Sequence, residues 1–271
     1  MKSVAIVAVV VAAVVAFVAA PNANALPAYS RLYSQRYGYR PSCAACHENG
    51  GGSAVTDFGR DFLRAGANSQ AFARLEPKDS DADGVLNADE VKAKSNPGDA
   101  RSKPGATGDW LADAAQTPVP RGFLTKLFPD AEGFSALEGA LSADQLARVK
   151  GIVGVDLGEA DKLPTFYFAL KGGKKFAVVQ YVAAASIAGP ISIAVAMNTN
   201  ATVTAVKVLK NPSAKAIEAG AFLSQFAGKR AVDALEVGND VQPAGGADED
   251  SRAVALAVKK AIAVINVVFS G

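Results

Sequence analysis

The chain has 271 residues, of which 50% are hydrophobic and 20% charged, and its formal net charge is +2. So small a basic excess excludes a binder held to nucleic acid by phosphate contacts, and the length admits two ordinary domains. With only 2 cysteines and 1 histidine, neither a disulfide framework nor a four-ligand zinc site of these residue types is available.

Residues 1–25 read MKSVAIVAVVVAAVVAFVAAPNANA. Lys2 is the only charge, an apolar run follows, and Ala23-Asn24-Ala25 fits a small-residue cleavage site. This is the pattern of a secretory signal peptide, with an uncleaved N-terminal anchor as the alternative. No later stretch reaches the ~18 unbroken apolar residues of a spanning helix. The expected location is therefore periplasmic or otherwise extracytoplasmic.

Residues 26–95 begin with tyrosines and hold PSCAACHENGG, which contains Cys43, Cys46 and His47. On a short helical turn, cysteines at i and i+3 share a face and can reach two vinyl groups of one haem. The next residue, His47, then turns its imidazole toward the iron as proximal ligand. A thioredoxin-like pair would need a βαβ setting that the polar segment before Cys43 does not supply. Cys43 and Cys46 are thus candidate attachment sites for haem c. For the distal position, Met197 is the one methionine after the leader, although its place at the end of a strand run also suits a core role. A tyrosine, a lysine, water, a partner's side chain or an open site are the other options.

The same region ends in Asp79-Ser-Asp81-Ala-Asp83-Gly84-Val85-Leu-Asn87-Ala-Asp-Glu90. Oxygen-bearing side chains fall at positions 1, 3, 5, 9 and 12 of a twelve-residue calcium loop, with glycine at 6 and the Val85 carbonyl at 7. Asp79, Asp81, Asp83, Val85, Asn87 and Glu90 are the expected Ca2+ ligands. The competing reading is a solvated acidic turn in which Asn87 and Glu90 form a capping box.

The stretch LPAYSRLYSQRYGYRPSCAACHENGGGSAVTDFGRDFLRAG resembles a family of small exported c-type cytochromes. There an arginine and tyrosine-glycine segment precedes C-x-x-C-H, and a phenylalanine-glycine helix follows. The resemblance implies that Tyr29, Tyr33, Tyr37, Tyr39, Phe58 and Phe62 wall the macrocycle.

Residues 96–120 carry Pro97, Pro104, Pro118 and Pro120 among several glycines and read as a linker, packed in part through Trp110. From residue 121 to 271 the texture is apolar and periodic. Ser142 and Gln145 form a capping box that opens a helix. TFYFAL and KFAVVQYVA are strand runs joined through Lys171-Gly172-Gly173, and ISIAVAM and TVTAVKVL pair around Asn198-Thr-Asn200. A helix is expected around AIEAGAFLSQFAG, and a last one begins near Ser251. Helices and antiparallel strands in separate runs make this an α+β domain.

Residues 127–268 resemble the FMN-binding domain found in the nitrous-oxide-reductase regulator and in one component of the membrane ion-pumping electron-transport complexes. In that family a threonine before the last helix carries the flavin phosphate. The matching positions here are Gly246, Ala247, Asp248 and Ser251, and Asp248 stands where the threonine would be. A carboxylate offers no hydroxyl for that ester, and Asp248, Glu249 and Asp250 already occupy the helix N-terminus with negative charge. Covalent FMN is therefore not expected, which leaves only non-covalent FMN as the lesser option.

The expected architecture is multidomain: a small, mostly α cytochrome c-type domain, then an α+β FMN-binding-like domain with an antiparallel sheet. The expected function is one-electron transfer through a single haem c with redox protein partners, a membrane electron-transport complex among them. Such a chain is an electron carrier rather than an enzyme. Haem-based sensing of a small ligand and a haem–flavin reductase are the alternatives.

Overall fold

The computed structural model describes residues 26–48, 54–106 and 118–269. The leader at 1–25 and Trp110 lie outside the described residues. The chain is of mixed α+β class, with a five-stranded antiparallel sheet in the order β1-β2-β3-β4-β5.

The first part is helical. Helix α1 (Pro27–Tyr37) opens on a proline and closes on Gly38 at φ +79°, a left-handed stop that glycine adopts without strain. Helix α2 (Asp57–Arg64) is capped by the Thr56 hydroxyl and α3 (Ser69–Leu75) by the Asn68 side chain. The acidic loop leads into α4 (Asn87–Ala93). Leu32, Tyr33, Phe58, Phe62, Phe72 and Leu75 form one core among these helices. Phe62 and Phe72 stack at 4.4 Å between ring centroids. Tyr39 donates its hydroxyl to the Val91 carbonyl at 3.0 Å, so in the 2.7 Å contact of the two phenols Tyr33 is the donor. That chain of hydroxyls ties α1 to α4.

Residues 95–102 do not behave as a spacer. Ser95, Asn96 and Ser102 are buried, and the Asn96 N–H donates to the Ser102 hydroxyl at 2.7 Å. The linker read from Asn96 onward thus begins with a packed turn, which follows the left-handed stop of α4 at Lys94.

After α5 (Arg121–Leu127) comes β1 (Gly133–Glu138), then α6 (Ala143–Val153), β2 (Thr165–Lys171), β3 (Lys174–Ala184), β4 (Ile191–Asn198) and β5 (Val203–Lys210). The capping box at Ser142 and Gln145 is formed in both directions. Gly172 and Gly173 turn the β2–β3 hairpin at φ +56° and +71°, the double left-handed geometry that matches strand twist. At the β4–β5 turn the Asn198 carboxamide accepts the N–H groups of Asn200 and Thr202. Strand β1 was not expected from the sequence. It pairs along β2 from Gly133↔Leu170 to Glu138↔Thr165 but is mostly half-buried, so it shows no strong apolar run.

Both faces of the sheet are covered, which is why β2 to β4 read as continuous apolar runs rather than alternating ones. Phe166, Phe168, Ile193 and Val195 face α6 and the long helix α8 (Asp248–Phe269). Tyr167, Val179, Tyr181 and Ala194 face Leu124 of α5. Helix α8 begins three residues before Ser251, because Asp248, Glu249 and Asp250 fill its first turn and suit its partial positive charge. The helix expected around AIEAGAFLSQFAG is instead a 3-10 turn (Lys215–Glu218), α7 (Gly220–Leu223) and a second 3-10 turn (Ser224–Phe226). Ala219 at φ −61°, ψ 133° breaks it, while Ile217, Phe222 and Phe226 remain buried.

The helical part docks against one end of the sheet. Arg40 makes a two-pronged ion pair with Glu138 at 2.8 and 2.9 Å, and Arg31 donates to the Gly139 carbonyl at 2.7 Å. Glu159 accepts both the N–H and the hydroxyl of Ser69, at 2.6 and 2.8 Å. Leu163 completes the helical core from the sheet side.

Candidate functional site

Cys43, Ala44 and Ala45 form a single 3-10 turn. The carbonyls of Cys43 to Cys46 are all bonded to protein. Cys43 O accepts from the N–H groups of Cys46 and His47, and Cys46 O from that of Thr56. Ala44 O accepts the Asn96 side-chain amide at 3.1 Å, and Ala45 O accepts the Thr56 hydroxyl at 3.1 Å. Two glycines let the scaffold come this close. A Cβ on Gly59 of α2 would overlap the Cys46 carbonyl oxygen, and one on Gly98 would stand 2.8 Å from Ala45 O. His47 then bridges to Val55 across the loop. With its backbone polar groups satisfied on one side, the turn presents its side-chain chemistry to the other.

That other side is a cleft of about 1150 Å³ between the helical part and the sheet. Cys43, Cys46 and His47 line it together with Tyr29, Phe62 and Phe72. The facing wall is the β3–β4 connection, residues 183–190. Lys162, Lys210, Arg60 and Arg64 also border it. The volume is somewhat above the usual range for small-molecule and cofactor sites, roughly 300–1,000 Å³. Burial, with Cys43 adding to it, pushes the Cys46 thiol up to about 12. Burial, with Asp161 adding to it, likewise pushes the Tyr29 phenol up to about 12. Both groups therefore face the cleft protonated at neutral pH. Two sulfurs three residues apart, a neighbouring imidazole and aromatic walls suit a large, flat, mostly apolar group, and the cationic side chains suit any carboxylates it carries. The residues present fit haem c.

The six aromatics expected to wall a haem fall into two groups. Tyr29, Tyr33 and Phe62 line the cleft. Tyr37, Tyr39 and Phe58 pack the core behind it. Met197 is not brought to this site. It lies at 0% exposure on β4, between Val178 and Val203, in the core beneath α8. An apolar strand position facing a helix buries its side chain there, so Met197 packs the core and does not line the cleft.

Gly246, Ala247, Asp248 and Ser251 do not fit a flavin phosphate. The Ser251 hydroxyl donates to the Ala247 carbonyl at 2.7 Å and accepts the Ala244 N–H at 2.9 Å, and the residue is fully buried. Asp250 accepts from the Ser213 hydroxyl and the Ala214 N–H. The Ser251 hydroxyl and the Asp250 carboxylate at the start of α8 are thus committed to the fold, and none of these residues lines the cleft.

The acidic loop is folded around its own carboxylates. Asp79 accepts the N–H groups of Asp83 and Gly84, and Asp83 accepts that of Val85. Gly84 makes the sharp turn at φ +93°. Ligand atoms of Asp79, Asp81 and Asp83 lie within 4.8 Å of one another. Burial and the neighbouring aspartates push Glu90 up to about 8 and Asp81 up to about 6. Asn87 does not join the carboxylates: its amide donates to Leu75 O and Ser80 Oγ and accepts the Ser80 N–H. It pins the two ends of the loop together.

Sequence reasoning missed Thr56, Gly59, Asn96 and Gly98 as the cradle of the attachment turn. The one signal was the pair Asn96 and Gly98 among residues of low structural propensity, and nothing local pointed them at Ala44 and Ala45. Among the described residues, no helix is long and apolar enough to cross a membrane. The chain matches no model of a known protein family, and no curated protein sequence matches it.

Proposed function

We propose that the chain is an exported c-type cytochrome that passes single electrons through one haem c, joined to Cys43 and Cys46 with His47 as proximal ligand. The observation that carries this reading is the attachment turn, whose backbone is bound on one side while both cysteines and His47 line a single cleft. When bound, haem supplies a one-electron iron couple tuned by its axial ligands, hydrogen bonds and burial. The chain's own residues do the rest. Thr56 and Asn96 hold the turn, Tyr29, Phe62 and Phe72 exclude water from one wall, and residues 183–190 of the sheet side cover the other. Lys162, Lys210 and Arg64 place positive charge where propionates or a redox partner would meet it. The α+β part acts in this reading as the second wall of a haem site and as a docking platform, in a two-domain chain related in layout to the FMN-binding domains.

One observation favours a second reading. Among the described residues lining the cleft there is no methionine and no imidazole besides His47. An iron held there by His47 alone would bind a small ligand at its sixth position, which is the chemistry of a sensor.

Absorbance spectra of the full chain, made in a host that attaches haem c, test both. Sharp reduced bands unaffected by carbon monoxide are expected of the electron carrier. A reduced spectrum that shifts with carbon monoxide would move the assignment to ligand binding, and a chain without haem would overturn both.

A further inference from the structure

Five carboxylate oxygens around the acidic loop are buried without a hydrogen-bond partner: both of Asp81, Oδ2 of Asp83 and both of Glu90. Glu90 belongs to α4 and is 0% exposed, and the charges of Asp81, Asp83 and Asp79 bear on its carboxyl. The nearby Ser95 hydroxyl donates to the Glu90 carbonyl at 3.3 Å. A buried carboxylate left unpaired is costly, and several together repel one another. A divalent cation among them removes both costs. The donors are all oxygen, which excludes a zinc-type site. A flexible loop with a backbone carbonyl at Val85 suits calcium better than the rigid octahedron of magnesium.

The segment that follows reaches back to the attachment turn. Ser95 N–H donates to Glu90 O at 2.9 Å, and Asn96 donates to Ala44 O at 3.1 Å. A second strap comes from Lys103, which donates to the Asp83 carbonyl at 2.5 Å and lies 3.5 Å from its carboxylate Oδ2, too far for a good hydrogen bond. Residues 95–103 are thus anchored to the acidic loop at both ends and to the Cys43–His47 turn in the middle.

We infer that Asp79, Asp81, Asp83 and Glu90 bind one calcium ion, and that this ion fixes α4 and, through Asn96, the turn to which haem is attached. The binding of calcium stands on the loop alone; the meaning of the turn's order rests on the cytochrome reading above.

The test uses the full chain as purified, stripped with a chelator and titrated with calcium by calorimetry, with hydrogen exchange read by mass spectrometry. One calcium per chain is expected, and exchange of the Cys43–His47 peptide slows by about tenfold as the metal suppresses local opening. Magnesium at the same concentration gives little protection. Glu90→Gln loses most calcium binding and the protection with it. Asp81→Asn serves as the second such variant should Glu90→Gln fail to fold. Asn96→Ala keeps calcium binding but leaves the turn with under about twofold protection. Absence of calcium binding overturns the inference. So does calcium binding with unchanged exchange at the turn, or full protection in Asn96→Ala. A chain that lacks haem yet shows calcium-dependent protection would support this inference while overturning the cytochrome reading.

Discussion

Gly59 lies on α2 where a Cβ would overlap the Cys46 carbonyl oxygen, so a side chain there must displace either the helix or the Cys43–His47 turn. Alanine in place of a helical glycine normally gains about 1 kcal/mol. Overpacking against fixed backbone costs about 1–3 kcal/mol, and here the contact is an overlap with a carbonyl that cannot rotate away. Gly59→Ala is therefore expected to lower stability by up to about 2 kcal/mol in urea unfolding. A more stable variant would show that the turn is not held as tightly as described. Asp240 offers a residue-level test of charge. Burial alone would raise its carboxyl, but Lys229 and the N–H groups of Leu235 and Glu236 outweigh burial and hold it below the usual carboxylate range. The bonds are 2.7, 3.2 and 2.8 Å. A depressed acid stabilises the fold above its unfolded pKa and loses that contribution as pH falls through the folded value. Asp240→Asn should thus cost about 1–3 kcal/mol at pH 7. The gap to the parent should close as pH falls below about 4, the ordinary aspartate value. A gap independent of pH would mean that charge contributes nothing there.

At the scale of elements, how legible each feature was depends on how local its cause is. The capping box at Ser142 and Gln145, the Gly172-Gly173 hairpin and the turn at Asn198 each arise within a few residues, and each appears where the pattern places it. Ser142→Ala removes one of those local causes and should cost about 1 kcal/mol in thermal or urea unfolding; no change would mean that packing of Val149 and Val153 alone holds α6. Strand β1 was hidden because GFSALE is half-buried and its pairing partner lies beyond the whole of α6. The broken helix at 215–226 was hidden because apolar spacing at Ile217, Phe222 and Phe226 satisfies burial whether or not the backbone between them is helical. The candidate site divides the same way. Cys43, Cys46 and His47 are a contiguous pentapeptide and were read directly, as was the acidic loop with Gly84 at its bend. Asn96 was not, because its bond to Ala44 spans 52 residues and is written in neither neighbourhood. Met197 lies away from the cleft for a tertiary reason: only the sheet's placement buries it on β4 in the core under α8.

For the whole molecule, the decisive feature is that the cleft has two owners. One wall comes from the helical part and the other from the sheet, so the site exists only while the two stay docked. Arg40 and Glu138 are the best-formed charged contact across that boundary, with side chains 20% and 28% exposed. A two-pronged, partly shielded pair of this kind should couple by about 1 kcal/mol in a double-mutant cycle of Arg40→Ala and Glu138→Ala. Zero coupling would mean that the Ser69–Glu159 and Arg31–Gly139 contacts carry the docking. The proposed electron carrier would close this cleft over its cofactor with its own second part. That proposal rests on one covalent attachment, and it is measurable. Proteolytic peptides of the full chain, made in a host that attaches haem c, can be weighed by mass spectrometry. The account predicts one haem bonded to the peptide that holds Cys43 and Cys46, and none after both are changed to alanine. A chain that emerges with two unmodified cysteines, from a host that loads another c-type cytochrome in the same culture, would contradict it.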